Sequence, residues 1–379
     1  MKKKFNLILV GPLPPPYHGQ SVSFKMLADS MGGMPDCEID LVNLADKNIS
    51  GSRNSWLLGK RILDYLKVLT CFIMALRVNA SRVYITIAQS RQGFMRDFLL
   101  IWIAYCFRAP IVVHLKGGNY HGFYDEQPKF VQWLIRKTLL KVERILVLGK
   151  NLLGMYDFEP LLKDKIFVVE NGLPFDIAGS KRKELNKEKI ELLFLSNLVE
   201  SKGYLDIIEA LSLLPNKDNF HINFAGGFYV NCDDLTVVSE QQAKQQFFSR
   251  INSLGLENNV TYHGVVSGEE KLDLLRKSHI FLLPTNYNNE GQPVSIIEAL
   301  AFGMPIITTD YRAISDMVLP RETGYFVEYG KPKDIADAIQ KICNNDTYSR
   351  MSQLCIEHYQ FKFTREAHLA RIQPHILGK

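Results

Sequence analysis

The amino-acid sequence predicts an α/β protein built from two doubly wound parallel sheets. Short runs rich in β-branched residues alternate with segments of helical periodicity along the chain, which is typical of βαβ units. The alternation stops in the polar segment 176–190 and then starts again. A chain of 379 residues is also too long for one hydrophobic core. We therefore expect two similar α/β domains joined near residue 180.

The first half contains five strand-like segments, most of which end in glycine or a small polar residue. They are 5–11, 81–88, 109–117, 144–149 and 165–172. Amphipathic helices are predicted over 56–77 and 128–142. These elements predict a first domain over residues 1–178.

The second half repeats the pattern, and it predicts a second domain over residues 179–355. Its strand-like segments are 190–198, 221–227, 259–265, 279–285 and 304–310. Helices are predicted over 203–214, 236–254, 268–277 and 293–303. The terminal segment 346–379 is also predicted to be helical.

Composition excludes several classes of protein. The six cysteines show no CxxC spacing and mostly lie in apolar stretches, which favours buried thiols in a reducing compartment over disulfides. The apolar run Phe98–Phe107 is half the length of a membrane span, and the first apolar stretch is too short for a signal peptide. We expect a cytosolic protein without a transmembrane helix.

Charge is unevenly distributed between the two halves. Residues 1–178 carry 23 Lys and Arg against 15 Asp and Glu, whereas residues 179–379 carry 22 against 25. The basic first half indicates an anionic partner, which is a membrane surface, a nucleic acid or a phosphorylated substrate.

Candidate functional residues follow predicted strands, where ligands bind in doubly wound sheets. His18, Gly19 and Gln20 lie before a helix, where free amides attract anions; a rigid proline-rich turn is the alternative. His114 ends a strand beside two glycines and can approach a ligand, or it is structural. Lys202 precedes a helix and is either a phosphate clamp or a solvated lysine.

Two glutamates, Glu290 and Glu298, lie on either side of Pro293 in the segment NEGQPVSIIEALAFGMPIITTD. Pro293 suits the first position of a helix, so Glu290 lies in the preceding loop and Glu298 inside the helix. A carboxylate suits a pair of vicinal hydroxyls, as on ribose. The spacing predicts that the two glutamates bind opposite ends of one polar ligand. Phosphates between these ends would then lie near Lys202. The alternative is that Glu298 pairs with a nearby Lys or Arg.

Taken together, these segments resemble the family 4 retaining glycosyltransferases of the GT-B fold. The resemblance rests on the Gly19 loop, His114 and its glycines, residues 169–172, SKG at 201–203, AGG at 225–227 and the segment 289–310. It implies two Rossmann-like domains facing a cleft, and a C-terminal helix over 356–379 that crosses back to the first domain.

The resemblance also implies roles for individual residues. Glu290, with Gly291 and Gln292, contacts the donor sugar; Glu298 binds the nucleotide ribose; Lys202 neutralises the diphosphate. His114 lies near the sugar and the reacting centre, and Gly19, Gln20 and Asn197 join the donor site. The expected catalytic residues are His114, Glu290 and Lys202.

Three positions depart from the family pattern. Asn197 stands where the family usually has an arginine, which puts one diphosphate contact in doubt. Arg312 replaces a usual glycine and either compensates for that loss or lies on the surface. Gln292 replaces a usual aromatic residue, so the sugar pocket is expected to be more polar.

The sequence thus predicts a retaining, metal-independent glycosyltransferase that needs no cofactor. The donor is a nucleotide-diphospho-sugar and the acceptor a hydroxyl of a lipid-linked or polysaccharide glycan. Two alternatives are a GT-B nucleotide-sugar 2-epimerase and a non-catalytic protein that binds nucleotide sugar or nucleic acid. For the main prediction no nucleic-acid partner is expected.

We also expect the protein to lie peripherally on the cytoplasmic face of an anionic membrane. Basic and aromatic residues interleave on two predicted helices, which suits an interfacial surface. These residues are Trp56, Leu57, Leu58, Lys60, Arg61, Leu66, Lys67, Phe72 and Arg77 on one helix, and Lys129, Phe130, Trp133, Arg136, Lys137, Lys141 and Arg144 on the other. The alternative is that the apolar residues pack on the sheet and leave a solvated basic face.

Overall fold

A computed structural model describes residues 5–15, 19–44, 55–77, 82–174, 184–185, 188–231, 234 and 236–378. For residues 55–64 it describes the helix but not the side chains. The chain forms two compact units, one of residues 1–174 with 365–379 and one of residues 175–364. The predicted boundary at residue 178 lies outside the described residues.

The first unit contains a parallel sheet of six described strands with the order β2-β1-β3-β4-β5-β6. The strands are β1 Phe5–Gly11, β2 Cys37–Asn43, β3 Arg82–Ile87, β4 Ile111–Leu115, β5 Arg144–Val147 and β6 Ile166–Val168. The helices are α1 Gly19–Gly32, α2 Ser55–Arg77, α3 Arg91–Cys106, α4 Tyr120–Asp125 and α5 Lys129–Leu139, with α12 Arg365–Leu377 from the end of the chain.

The last helix belongs to the core of the first unit. Ile372 and Ile376 of α12 are buried in one cluster with Leu7, Phe24 and Tyr84. The predicted helix over 356–379 is therefore corrected. Its first part belongs to α11, Asn345–Lys362, which stays in the second unit, and the chain returns only at Arg365.

The second unit repeats the architecture, with the strand order β12-β11-β10-β7-β8-β9 in the described residues. The strands are β7 Ile190–Leu195, β8 Phe220–Ala225, β9 Val260–Gly264, β10 Ile280–Leu283, β11 Ile306–Thr308 and β12 Gly324–Phe326, all parallel. The helices are α6 Tyr204–Ser212, α7 Glu240–Ser253, α8 Gly268–Lys277, α9 Val294–Ala301, α10 Pro332–Ile342 and α11.

These sheets confirm the predicted fold class, and every predicted strand is present. Five elements of the structure, β2, β12, α3, α4 and α10, were not predicted from the sequence. β2 is an edge strand with a mixed polar pattern, and β12 has only three residues. α3 contains the apolar run that we considered only as half a membrane span. Within the described helices, none has the length and apolar character needed to cross a membrane.

The prediction that most cysteines are buried is wrong for the described ones. Cys355 is buried, whereas Cys71 and Cys106 are exposed and Cys37 and Cys343 are intermediate. Cys71 and Cys106 belong to α2 and α3, whose apolar segments also contribute residues to the solvent face.

Candidate active site

The strand order of the second unit reverses between β7 and β10, which are neighbours in its sheet. The chain runs from β7 outward through β8 and β9, and from β10 outward through β11 and β12 on the other side. The loops after such a pair of strands flank a crevice at the carboxyl edge of the sheet, and ligands bind there in doubly wound folds. The segment containing Lys202 follows β7, and the segment containing Glu290 follows β10.

These two loops are packed directly against each other. The amide of Asn286 donates a hydrogen bond to the carbonyl of Ser201 at 2.7 Å. Gly203 has a φ of +73°, and a Cβ there would lie 2.4 Å from the carbonyl oxygen of Pro284. A side chain at residue 203 would therefore force the loops apart, which explains the glycine after Lys202.

Lys202 contacts residues of both loops. Its Nζ donates to Ser196 Oγ at 2.9 Å and lies 3.3 Å from Glu290 Oε2. The same ammonium is 5.2 Å from the ring centroid of Tyr287. The side chains of Lys202 and Glu290 are only 13% and 8% exposed, so the pair is shielded from most of the solvent. The two residues predicted to share the donor are thus brought together.

Glu290 is held from a second side as well. Thr285 Oγ1 donates to Glu290 Oε2 at 3.1 Å, and the backbone amide of Glu290 donates to the carbonyl of Tyr287 at 2.9 Å. Gly291 and Gln292 are buried immediately after it. The carboxylate is therefore fixed in orientation before any ligand arrives.

Glu298 is the fifth residue of α9 and is buried. Pro293 is the N-cap of this helix, with a ψ of 117°, so our prediction that it occupies the first helical position is wrong by one residue. Lys271 of α8 donates to Glu298 Oε1 at 2.6 Å. Burial raises the pKa of Glu298, and the charge of Lys271 opposes that rise. The predicted alternative, a lysine partner, is present in this structure.

Two further predicted positions lie in the second unit. The side chain of Asn197 is exposed, and a Cβ at Gly226 would lie 1.9 Å from the carbonyl oxygen of Ser196, so the two backbones are in close contact there. The guanidinium of Arg312 lies over the ring of Tyr311, with Cζ 5.1 Å from the centroid. The compensation of Asn197 by Arg312 stays a prediction.

In the first unit, Gly19 and Gln20 form the start of α1. Gly19 is exposed and Gln20 is partly exposed. Their position at a helix N-terminus agrees with the sequence, whereas their part in donor binding stays a prediction. His18 lies outside the described residues.

His114 is placed differently from the expectation. It lies inside β4, paired in register with Thr86 of β3, and its side chain is fully buried. Its Nδ1 is hydrogen-bonded to the hydroxyl of Tyr84 at 2.8 Å. Burial, followed by the charge of Lys116, holds the pKa of His114 well below its usual value. This geometry matches the structural alternative, because the imidazole lies in the packed interior and Lys116 is the residue beyond the strand end.

Three further candidate functional residues were not predicted from the sequence. Thr285 orients Glu290, Lys271 pairs with Glu298, and Lys116 emerges at the end of β4. Thr285 was recognisable as the polar residue at the end of a predicted strand. Lys271 gave no local signal, because it is 27 positions from Glu298 in the chain.

Parts of the chain resemble known proteins in sequence. A family model described as "Glycosyl transferases group 1" matches residues 177–357, which is most of the second unit. The chain is 24% identical over 187 residues to the amylovoran biosynthesis glycosyltransferase AmsK of Erwinia amylovora, covering 48% of this chain and 43% of AmsK. It is 26% identical over 245 residues to the poly(ribitol-phosphate) alpha-N-acetylglucosaminyltransferase of Staphylococcus aureus, covering 62% of this chain and 43% of that enzyme. The matched segments therefore span less than half of either relative.

Solved structures resemble the chain over nearly its whole length. HepE from Anabaena in complex with UDP and glucose gives a TM-score of 0.69 at 15% identity, covering 99% of this chain and 100% of that one. The chain has the GT-B fold. The family model and the curated relatives support a glycosyltransferase of this fold.

Proposed function

We propose that the protein transfers a sugar from a nucleotide-diphospho-sugar to a hydroxyl group of a glycan or lipid-linked acceptor, with retention of anomeric configuration. The observation that carries the proposal is the shielded pair of Lys202 and Glu290 at the switch point of the second sheet. Glu298 lies on the helix that follows the same loop. The site combines one cation with two carboxylates, one before a helix and one inside it. This set suits a ligand whose phosphates lie between two ends that carry hydroxyl groups.

Each residue has a distinct task in this proposal. Lys202 binds the diphosphate and stabilises the negative charge that develops as the bond between the anomeric carbon and the phosphate oxygen breaks. Glu298 accepts hydrogen bonds from the two ribose hydroxyls. Glu290, with Gly291 and Gln292, contacts the sugar. Donor binding requires both ion pairs to open, so that each carboxylate exchanges an ammonium for hydroxyl donors.

The acceptor hydroxyl attacks the anomeric carbon, and its proton leaves toward the departing phosphate oxygen on the same face of the sugar. The site then needs no carboxylate nucleophile. Lys202 supplies the charge that a divalent cation supplies elsewhere, so we propose a metal-independent reaction.

The names of the relatives support a polysaccharide-related acceptor. AmsK is named for amylovoran biosynthesis, and the Staphylococcus aureus relative for transfer to poly(ribitol-phosphate). They favour transfer over the epimerase alternative and over a purely binding role. HepE was solved with UDP and glucose, which supports UDP-sugars as the first donors to test.

The test is a thermal-shift screen of nucleotide sugars, followed by mass spectrometry of products. A donor present at a hundred times its dissociation constant should add about 2.7 kcal/mol to the free energy of unfolding. A new glycosidic product on a glycan or lipid-linked acceptor supports the proposal. Isomerised free nucleotide sugar without any transfer supports the epimerase instead, and no response to any nucleotide sugar contradicts both.

The position of the enzyme at a membrane rests on exposed aromatic residues of the first unit. Phe130 and Trp133 of α5 are 70% and 46% exposed, and their rings stack with centroids 6.0 Å apart. Lys129 and Lys137 are exposed on the same helix. Solvent-exposed aromatic rings flanked by lysines are typical of a surface that binds the interface of an anionic bilayer. We therefore propose that this face of α5 docks on the membrane that presents the acceptor.

Other residues of the predicted membrane surface fit it less well. Phe72 is fully buried, and Arg144 is engaged with Glu143 and the carbonyl of Pro374. On α2, Leu66 and Lys67 are exposed, while the side chains of Lys60 and Arg61 lie outside the described residues.

Vesicle sedimentation tests the docking. The protein should bind anionic vesicles, and this binding should weaken with salt and with the double change Lys129→Glu and Lys137→Glu. Lys244→Glu with Lys333→Glu, two exposed lysines of the second unit, is the matched control for net charge. Equal binding by both double variants contradicts docking through α5.

A further inference from the structure

Lys116 is a cation that has no paired anion among the described residues of the first unit. It directly follows β4, and its Nζ donates to Asn171 Oδ1 at 2.9 Å and to Ser23 Oγ at 3.2 Å. Both acceptors are neutral. Over the described ranges of the chain, no carboxylate oxygen lies within 4.0 Å of this ammonium.

The neighbouring charged groups do not supply the missing anion. Glu170, which precedes Asn171, is paired with Arg371 Nε at 3.2 Å. His368 of α12 donates from Nδ1 to the carbonyl of Glu170, because a carbonyl only accepts; its Nε2 is fully buried and has no hydrogen-bond partner. Burial, followed by the charge of Lys116, lowers the pKa of His368 to about 3. His114 is likewise neutral and buried, so both imidazoles leave the charge of Lys116 uncompensated.

An ammonium held in this way costs free energy, because desolvation is not offset by an opposite charge. Burial accordingly lowers the pKa of Lys116 from 10.5 to about 7. Charged groups without an opposite charge at the carboxyl edge of a parallel sheet are typical of ligand sites.

Lys116 is partly exposed, so its side chain is accessible from solvent. Gly117 and Gly118 follow it, and the side chain of Gln89 occupies the space beside Gly117. The loop is fixed by Gln89, whose Oε1 accepts from the amide of Asn119 at 3.1 Å. The third proton of the ammonium is available to a group that approaches along this edge.

We propose that Lys116, with Ser23 and Asn171, forms an anion site on the first unit that takes a phosphate or carboxylate group of a substrate. The site deepens the proposed function, on which its substrate assignment rests, since either the acceptor or the donor sugar then carries an acidic group. A bound oxyanion accepts the free proton of the ammonium and keeps Lys116 charged.

The test is a thermal-shift titration of the full chain with inorganic phosphate against chloride of equal ionic strength. Lys116→Met and Lys116→Gln should raise the dissociation constant of phosphate by about tenfold or more, and Lys116→Arg should retain binding. Lys202→Met serves as the control for phosphate bound in the second unit. Wild-type phosphate affinity in both neutral variants, or loss of binding in Lys202→Met alone, overturns the proposal.

The pH dependence separates a specific site from general screening. The affinity for sulfate, an oxyanion that does not titrate in this range, should fall as pH rises from 6.5 to 8.5, because Lys116, whose pKa in the free protein is about 7, loses its proton. His114 and His368 are neutral over this range, and Glu170 stays paired with Arg371. Lys116→Arg should remove the fall, and an unchanged fall in that variant counts against the site.

Competition identifies the source of the acidic group. Displacement of phosphate by glycerol phosphate indicates a phosphate-bearing acceptor, whereas displacement by glucuronate indicates an acidic sugar. Displacement by neither contradicts a substrate role. Because these measurements need no transfer reaction, they stand even if the nucleotide-sugar screen fails, and the two proposals can fail separately.

Discussion

Lys202 and Glu290, 88 residues apart in the chain, form an ion pair of 3.3 Å where the strand order of the second unit reverses. The pair joins the loop after one central strand to the loop after its neighbour. Both side chains are nearly buried, so their mutual attraction is screened less than that of a surface pair. In the proposed mechanism, the pair opens when the donor binds.

Lys202→Met should lower both the affinity for the nucleotide sugar and the turnover number. The diphosphate gains negative charge in the transition state, so the lost cation costs more there than in the ground state. Steady-state kinetics in EDTA test both parts of the proposal, since wild-type transfer should persist in the chelator. Full loss in EDTA that Mn²⁺ or Mg²⁺ restores would show that a metal carries this charge.

Glu298→Ala should weaken binding of the nucleoside diphosphate by about tenfold or more, because two hydrogen bonds from ribose to a charged acceptor are lost. Isothermal calorimetry measures the change. Glu257→Ala, an exposed glutamate of the same unit, is the control. Unchanged affinity in Glu298→Ala would contradict the ribose contact.

Glu290→Gln should leave the affinity for nucleoside diphosphate within about threefold of wild type and lower turnover, because its proposed contact is to the sugar. The amide keeps the volume of the side chain and can still accept from Thr285. Comparison of calorimetric affinity with kcat separates the two effects. If Glu290→Gln weakens nucleotide binding as strongly as Glu298→Ala does, the two glutamates do not bind opposite ends of the donor.

Lys271 should set the acid limit of nucleotide binding. Ribose hydroxyls need the ionised form of Glu298, whose pKa is raised by burial and held down in part by Lys271. Affinity should be full above that pKa and fall as pH drops through it. Lys271→Met should move this fall to higher pH, and Lys271→Arg should restore it. Identical pH profiles for all three proteins would exclude the coupling.

The same raised pKa has a consequence for stability. The folded state holds the proton of Glu298 more tightly than the unfolded chain, whose reference pKa is 4.5. The contribution of Glu298 to the free energy of unfolding therefore rises as pH falls from the raised pKa toward 4.5. Glu298→Gln should remove this part of the pH dependence in urea unfolding.

His114→Ala should lower stability by about 1–3 kcal/mol, because it leaves a cavity and removes the partner of the buried Tyr84 hydroxyl. Tyr84→Phe and the double variant complete a cycle that measures the coupling of the pair. Transfer, assayed well below the melting temperature, should change little. A large loss of transfer at unchanged stability would instead support the predicted contact of His114 with the sugar.

Sequence information alone was sufficient to predict the two-sheet architecture and to place Lys202, Glu290 and Glu298 within it. Those inferences depend on local information: apolar runs define the strands, and the glycines and proline mark the turns that follow them. Residues at the carboxyl ends of parallel strands share one edge of the sheet, so their grouping followed from the order of the elements.

The pairing of side chains became visible only in the folded chain. Lys271 reaches Glu298 from another helix, and Lys116 lies beside Ser23 and Asn171 from separate segments. The fold also places His114 in the interior, and the cation beyond the end of β4 is Lys116. Alternation along a strand tells which residues share a face, but burial depends on what packs on that face, and here the end of the chain supplies α12. The partners of a side chain and its burial depend on segments that are distant in the sequence and adjacent in the fold. A local sequence pattern therefore does not encode them.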